Sequence, residues 1–131
     1  MKFLLDTHTL LWFIEGHTQM SFKAREIIEN PRNKVVVSSA SLFEIAIKLK
    51  IGKLALRKSL SGFLEDVENA RIEIVPILNS HLAAYQLLPD LPDHRDPFDR
   101  LILATSISEG AELISKAPKF KSYRDFVSII W

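Results

Sequence analysis

Two carboxylates three residues apart, Asp96 and Asp99, sit in the run His94-Arg95-Asp96-Pro97-Phe98-Asp99-Arg100, just before the apolar stretch Leu101-Ile102-Leu103-Ala104. An aspartate followed by proline reads as a helix N-cap with proline at the first helical position. Asp99 then falls one turn in, on the same face. One explanation is structural, two acids that cap a helix and complement its dipole. The other is chemical, a turn that presents oxygen ligands to a metal ion. Two further acids bear on the choice. Asp6 ends the apolar run Phe3-Leu4-Leu5, and Glu44 lies in an amphipathic stretch beginning at Ser41. Each has its own structural explanation: Asp6 as the N-cap of a helix starting near His8, and Glu44 as half of a Ser41-x-x-Glu44 capping box or as the partner of Lys48 one turn on. Taken together, the acids come from three separate segments. That suits Mg²⁺ or Mn²⁺, which bind a few carboxylates and keep waters for chemistry. Such a cluster would repel itself without a cation.

Other chemistries lack their residues. The four glycines, at 16, 52, 62 and 110, form neither a dinucleotide-binding loop nor a phosphate-binding loop. There is no Gly-x-Ser-x-Gly nucleophile elbow. A phosphoryl-accepting Asp-x-Asp after the first strand fails because its third residue is His8. The four histidines (His8, His17, His81, His94) show no metal-pair spacing. His8 and His94 are placed to line the site, although a surface or capping role explains each. The absence of cysteine excludes a disulfide framework and a zinc–thiolate site, and fits a reducing compartment.

The elements that must position these acids alternate along the chain. Strand-like runs occur at Phe3-Leu4-Leu5, Val35-Val36-Val37, Ile72–Val75, Ala111–Ile114 and Val127–Ile130. Helical spacing fills the intervals: from Leu10 to Glu15, Ser21 to Asn30, Ser41 to near Gly52, Leu60 to Ala70, Ser80 to Leu88, and from Pro97 to Gly110. Pro89 to Pro92 reads as a loop. Alternating short strands and helices predict an α/β fold with a mainly parallel sheet, whose ligands bind beyond the carboxyl ends of the strands. Asp6, Glu44, Asp96 and Asp99 can then converge on one sheet edge.

The 131 residues suit a single domain, with no repeat or linker to divide them. A hydrophobic share of 47% with 25% charged residues is that of a globular chain and excludes disorder. The net charge of +1 leaves a polyanion site to local clustering of Lys and Arg. Asp6 interrupts the N-terminal apolar run, so it makes a poor signal peptide, and no apolar run approaches the roughly 18 residues needed to span a bilayer. The expectation is a soluble cytoplasmic protein without membrane partners.

Three ordered blocks resemble a known family: Leu4-Leu5-Asp6-Thr7-His8-Thr9-Leu10-Leu11-Trp12, Ser39–Lys48 with Gly52-Lys53-Leu54, and His94–Arg100. Together they are similar to a PIN domain, most closely to the VapC-like ribonuclease toxins of bacterial type II toxin–antitoxin systems, and the resemblance runs over residues 1–131. It implies a three-layer α/β/α sandwich, a homodimer, inhibition by a cognate antitoxin protein, and Mg²⁺- or Mn²⁺-dependent endonucleolytic cleavage of RNA. By the same resemblance Asp6, Glu44 and Asp99 are the main catalytic and metal-binding acids, with Asp96 an additional one. Lys48, Arg95, Arg100 and Lys116 lie near the acids in sequence and are candidates for contacts to substrate phosphates; their alternative is solvated surface or ion pairs with the same acids. One departure stands out. The family usually carries Asp or Asn in the turn after the strand Leu113-Ile114, where this chain has Ala117 in Ser115-Lys116-Ala117-Pro118. A methyl group cannot coordinate a metal, so a PIN fold that binds a protein or RNA without cleaving is the alternative. A nuclease acting on DNA would use the same residues.

Overall fold

The three central apolar runs become strands buried on both faces, as the middle of a parallel sheet requires. In a computed structural model, which describes residues 1–91 and 95–131, the strands are β1 (Lys2–Leu5), β2 (Lys34–Ser38), β3 (Glu73–Val75), β4 (Glu112–Ile114) and β5 (Ile129–Ile130). His94, expected near the site, and Pro92, expected in the loop before it, lie outside the described residues. The sheet order is β3-β2-β1-β4-β5, with every pairing parallel. In register, Leu5 stands beside Val37 on one side and Ile114 on the other.

Alternation along each strand divides the interior into two cores. Phe3, Leu5, Val35, Val37 and Ile114 face one way and pack with residues of α1 (Thr7–Glu15), α2 (Phe22–Glu29), α3 (Ser39–Lys50) and α4 (Leu60–Asn69). Leu4, Val36 and Leu113 face the other way, against α6 (Pro97–Glu109) and the 3-10 helix Pro118–Tyr123, with α5 (Asn79–Gln86) packed alongside. The result is the expected three-layer α/β/α arrangement.

Two local differences from the sequence reading have plain causes. Helix α3 starts earlier than Ser41, because Ser38 leaves β2 with extended backbone and its hydroxyl accepts the Ala40 N–H at 3.1 Å. Ser41 is therefore inside the helix, and the expected Ser41–Glu44 capping box does not form. The last strand shortens to Ile129–Ile130, because the Val127 N–H bonds back to the Tyr123 carbonyl in the turn after the 3-10 helix. Helix α6 ends as expected at Gly110, whose φ of 62° is the left-handed cap that glycine accepts without strain.

The strand order places the site. From β1 the chain steps outward through β2 to β3, whereas β4 and β5 are added on the opposite side of β1. The direction reverses between β1 and β4, and a crevice opens outside their carboxyl ends. Asp6 and Ser115 are the residues that follow those two ends.

Candidate active site

Asp6 is buried where β1 becomes α1. Its Oδ1 accepts the Thr9 N–H at 2.8 Å, which makes it the N-cap of α1, and its own N–H donates to the Ile114 carbonyl of β4 at 3.3 Å. Its Oδ2 accepts from the Ser115 hydroxyl, and that hydroxyl in turn accepts the Ala117 N–H at 3.0 Å. Ser115 is itself buried. The cap reading and the site reading of Asp6 thus coexist: one oxygen orders the helix, while the other is held by the neighbouring strand end.

Glu44, on α3, is tied to the residue beside Asp6. The Thr7 hydroxyl donates to Glu44 Oε1 at 2.8 Å and lies 3.0 Å from the Ser41 hydroxyl. Glu44 Oε2 pairs with Lys48 Nζ at 3.0 Å, the partner expected one turn on. Both Glu44 oxygens are thus engaged, one by Thr7 at the start of α1 and the other by Lys48 one turn along α3.

Asp96 does what its position before proline suggested. It is exposed, and its Oδ1 accepts the N–H groups of Phe98 at 2.9 Å and Asp99 at 3.2 Å. Asp99 is buried, with Lys119 Nζ 2.5 Å from its Oδ2. Burial pushes the Asp99 carboxyl above the usual aspartate range; the ammonium of Lys119 opposes that rise, and the negative charges of Asp96 and Glu44 add to it. The charges of these acids therefore converge on Asp99, although they come from α3 and from the start of α6.

The candidate phosphate-contacting cations separate. Lys48 is half-buried on Glu44, and Arg95 is exposed beside the α6 cap. Lys116 is exposed and reaches Gln19 Oε1 at 2.6 Å. Arg100 is turned inward. Its Nη1 donates to the Pro89 carbonyl at 3.2 Å and to the Tyr123 hydroxyl at 3.3 Å, and its guanidinium lies 5.5 Å from the Tyr85 ring. That placement fastens α5, α6 and the 3-10 helix together and does not match the expected phosphate contact.

Three residues of the site escaped the sequence reading. Thr7 and Ser115 directly follow Asp6 and Ile114, so their signal was a hydroxyl just past a strand end at the switch point. Lys119 gave no signal, because its approach to Asp99 depends on the turn of the 3-10 helix.

Among the described residues, no three acidic or imidazole groups stand close enough together to hold a metal ion as they lie. The donor chemistry nevertheless fits a hard cation that takes one or two carboxylates and keeps its waters. All the candidate donors are carboxylate oxygens. The Lys119 ammonium already supplies Asp99 with positive charge where such an ion would supply it. Ala117, half-buried, lines the same cavity of about 330 Å³ as Asp6, so the position expected to carry an acid does face the site.

Residues 3–125 match the PIN domain family. The chain is 30% identical over 122 residues to Ribonuclease VapC22 of Mycobacterium tuberculosis, covering 92% of this chain and 91% of that protein. Among solved structures, it is similar to VapBC2 from Rickettsia felis bound to a promoter DNA fragment, with a TM-score of 0.72, 21% identity, and coverage of 99% of this chain and 98% of that one. It is also similar to DNA-bound VapBC from Salmonella typhimurium, with a TM-score of 0.69, 17% identity, and coverage of 99% and 97%. A third likeness is FitAcB from Neisseria gonorrhoeae, with a TM-score of 0.65, 18% identity, and coverage of 100% and 97%.

Proposed function

The chain belongs to the PIN domain family, and from that membership we propose that it is an endoribonuclease, the toxin of a toxin–antitoxin pair, cleaving RNA with the help of Mg²⁺ or Mn²⁺. What supports this reading is the place of Asp6 just past β1 at the switch point, together with the charges of Asp96 and Glu44 acting on the buried Asp99. The 30% identity to a ribonuclease across nearly the whole chain supports it.

Asp6 and Asp99, with Glu44, would hold the ion, and a bound divalent ion supplies charge for the scissile phosphate and acidifies a water. The protein's own part is orientation. Ser115 keeps the Asp6 carboxylate facing the crevice, and Thr7 does the same for Glu44. Asp96 holds the first turn of α6, which carries Asp99. Lys119 neutralises Asp99 in the resting protein, and its partly exposed side chain is placed to swing to a phosphate. Lys48, Arg95 and Lys116 surround the acids as candidate contacts to the substrate backbone. No nucleophilic side chain is required, since water attacks.

The solved relatives include toxin–antitoxin complexes, which supports an antitoxin as the protein partner. Phe43 and Phe98 meet edge to face at 6.0 Å beside the acids, and Phe43 is exposed, which offers that partner or a second copy an apolar contact. Among the described residues no helix is long and apolar enough to cross a membrane.

A second reading has one observation in its favour: with Ala117 at the crevice, the fold binds RNA or a protein without cleaving. Incubating RNA with the protein in Mg²⁺ or Mn²⁺, for the native chain and for Ala117→Asp, separates the two. Cleavage by the native chain that disappears in Asp6→Asn and Asp99→Asn supports the enzyme. Binding without cleavage by both the native chain and Ala117→Asp would leave the non-cleaving domain.

A further inference from the structure

The cavity beside Asp6 carries chemistry that phosphate cleavage does not use. Trp12, on the second turn of α1, is only half-buried, and it gathers three other rings. His8 lies 5.8 Å away at a 51° tilt, His17 lies 5.6 Å away and nearly parallel at 23°, and Trp131 meets it edge-on at 5.8 Å. Core packing accounts for the buried part of Trp12 but not for the exposed His8 and His17 around it. The cavity of about 330 Å³ lies against this cluster, with His8 and Trp12 in its wall, Asp6 and Ala117 at its inner end, and Gln19 and Lys116 at its rim. The rim is tied by the hydrogen bond from Lys116 to Gln19, which joins the turn after β4 to the loop between α1 and α2.

These features have the properties of a site for an unpaired nucleobase. Single-stranded RNA is read by splaying a base out, stacking it on aromatic rings and hydrogen-bonding its edge. His8 and Trp12 supply the rings. Gln19 supplies an amide that both donates and accepts, and the Lys116 ammonium can hold Gln19 and a further acceptor. The volume lies within the range of small-ligand clefts. Asp6 lines the cavity and is one of the acids proposed to hold the ion, so an occupant of the cavity would lie next to the reacting phosphate. We propose that the cavity lined by His8, Trp12, Gln19 and Lys116 is a nucleobase subsite that binds the unpaired base of the nucleotide next to the scissile phosphate. Ala117 matters here as well: a methyl group in place of a carboxylate lowers the negative charge at the inner end and leaves more room. A cationic protein side chain would also stack on Trp12, but it would have to pass the Lys116 ammonium, which instead favours a phosphate-bearing ligand.

This proposal rests on the ribonuclease reading, yet it can be tested without catalysis. Trp131→Phe leaves Trp12 as the sole indole, and its fluorescence is titrated with AMP, GMP, CMP and UMP in the absence of divalent metal. The same titration is run with ribose 5-phosphate and with arginine amide. Saturable quenching by at least one nucleotide and none by ribose 5-phosphate is expected. Lys116→Met and His8→Ala, both changes at exposed positions, should weaken that binding with the thermal midpoint unchanged. Because stacking contributes roughly five- to 150-fold per base, single-stranded RNA should bind Trp12→Leu at least about fivefold more weakly than Trp12→Phe, which keeps a ring. Equal quenching by ribose 5-phosphate, quenching by arginine amide alone, no quenching at all, or equal RNA binding by folded Trp12→Phe and Trp12→Leu would each overturn the subsite. Nucleotide binding in a protein that cleaves no RNA would leave the subsite standing and remove the ribonuclease reading. Cleavage without nucleotide binding would do the reverse.

Discussion

Asp99 is where burial, charge and chemistry meet. Its carboxyl is raised chiefly by burial, and the charges of Asp96 and Glu44 add to that rise against Lys119. A carboxyl whose folded pKa exceeds its unfolded one favours folding most below the unfolded value. That contribution is lost as the pH rises from the ordinary 3.8 through the raised folded value. Asp99→Asn should therefore leave the protein at least as stable at pH 7 as the native chain and flatten the loss over that window, as read by thermal midpoints at stepped pH. The same substitution should lower RNA cleavage by about a hundredfold or more, since one of few metal-holding groups is gone. Ser115 tests positioning. Its hydroxyl is buried between Asp6 and the Ala117 N–H, and groups that orient metal ligands typically change affinity or activity by about 10- to 100-fold. Ser115→Ala is expected to raise the Mg²⁺ concentration for half-maximal cleavage by about tenfold, whereas Ser115→Thr restores it. An unchanged metal requirement in Ser115→Ala would remove the positioning role.

Helix α6 joins the site to the frame. Its start carries Asp96 and Asp99, and its far end carries Glu109, which accepts from Lys2 Nζ at 2.5 Å and lies 2.8 Å from Nε2 of the fully buried His81. The Leu78 N–H donates to His81 Nδ1 at 3.2 Å, so the proton of the neutral ring sits on Nε2 and faces Glu109. Those two partners hold Glu109 below its ordinary 4.5, so its stabilisation is full above that value and lost as the pH falls through the lowered one. Hydrogen bonds to a charged group contribute about 1.5–3 kcal/mol. Glu109→Gln should cost about that at pH 7 in a denaturant titration and leave cleavage unchanged, because Lys2 and Glu109 lie at the opposite end of the sheet from the acids. The elements and most of the acids were legible in the sequence, because strand runs, caps and the Asp96-Pro97 signal are local. Glu44 stood out in the sequence as a candidate site acid, but the start of its helix was not legible, since Ser38 and Ser41 are equally good capping residues and only the end of β2 selects between them. Arg100 was misleading for a related reason. Sequence proximity to Asp99 says nothing about direction, and a helix turns consecutive side chains roughly 100° apart, so Arg100 points to Tyr85 and Tyr123 instead.

At the scale of the molecule, an all-parallel sheet whose order reverses between β1 and β4 leaves one cavity that brings Asp6, Lys116 and the rings of His8 and Trp12 together. A net charge of +1 gives the chain little overall attraction for RNA, so affinity must come from the local cations. Lys48→Ala and Lys116→Ala should each reduce the slope of log affinity against log salt by about one. Arg100→Ala should leave that slope unchanged while lowering stability by about 2 kcal/mol, through loss of a buried hydrogen-bonded group. Asp6, Glu44 and Asp99 are proposed to hold a divalent ion for RNA cleavage despite Ala117. The most direct measurement titrates Mg²⁺ and Mn²⁺ into the native protein, Asp6→Asn and Asp99→Asn, reading the thermal midpoint and the cleavage of single-stranded RNA in the same samples. Binding to the folded state alone stabilises by about 2.7 kcal/mol at a hundred times the dissociation constant. The midpoint and the cleavage rate of the native protein should rise together with metal, and both responses should be lost in the two variants. Cleavage that persists in Asp6→Asn and Asp99→Asn, or a native protein that neither binds the metals nor cuts RNA in their presence, would contradict it.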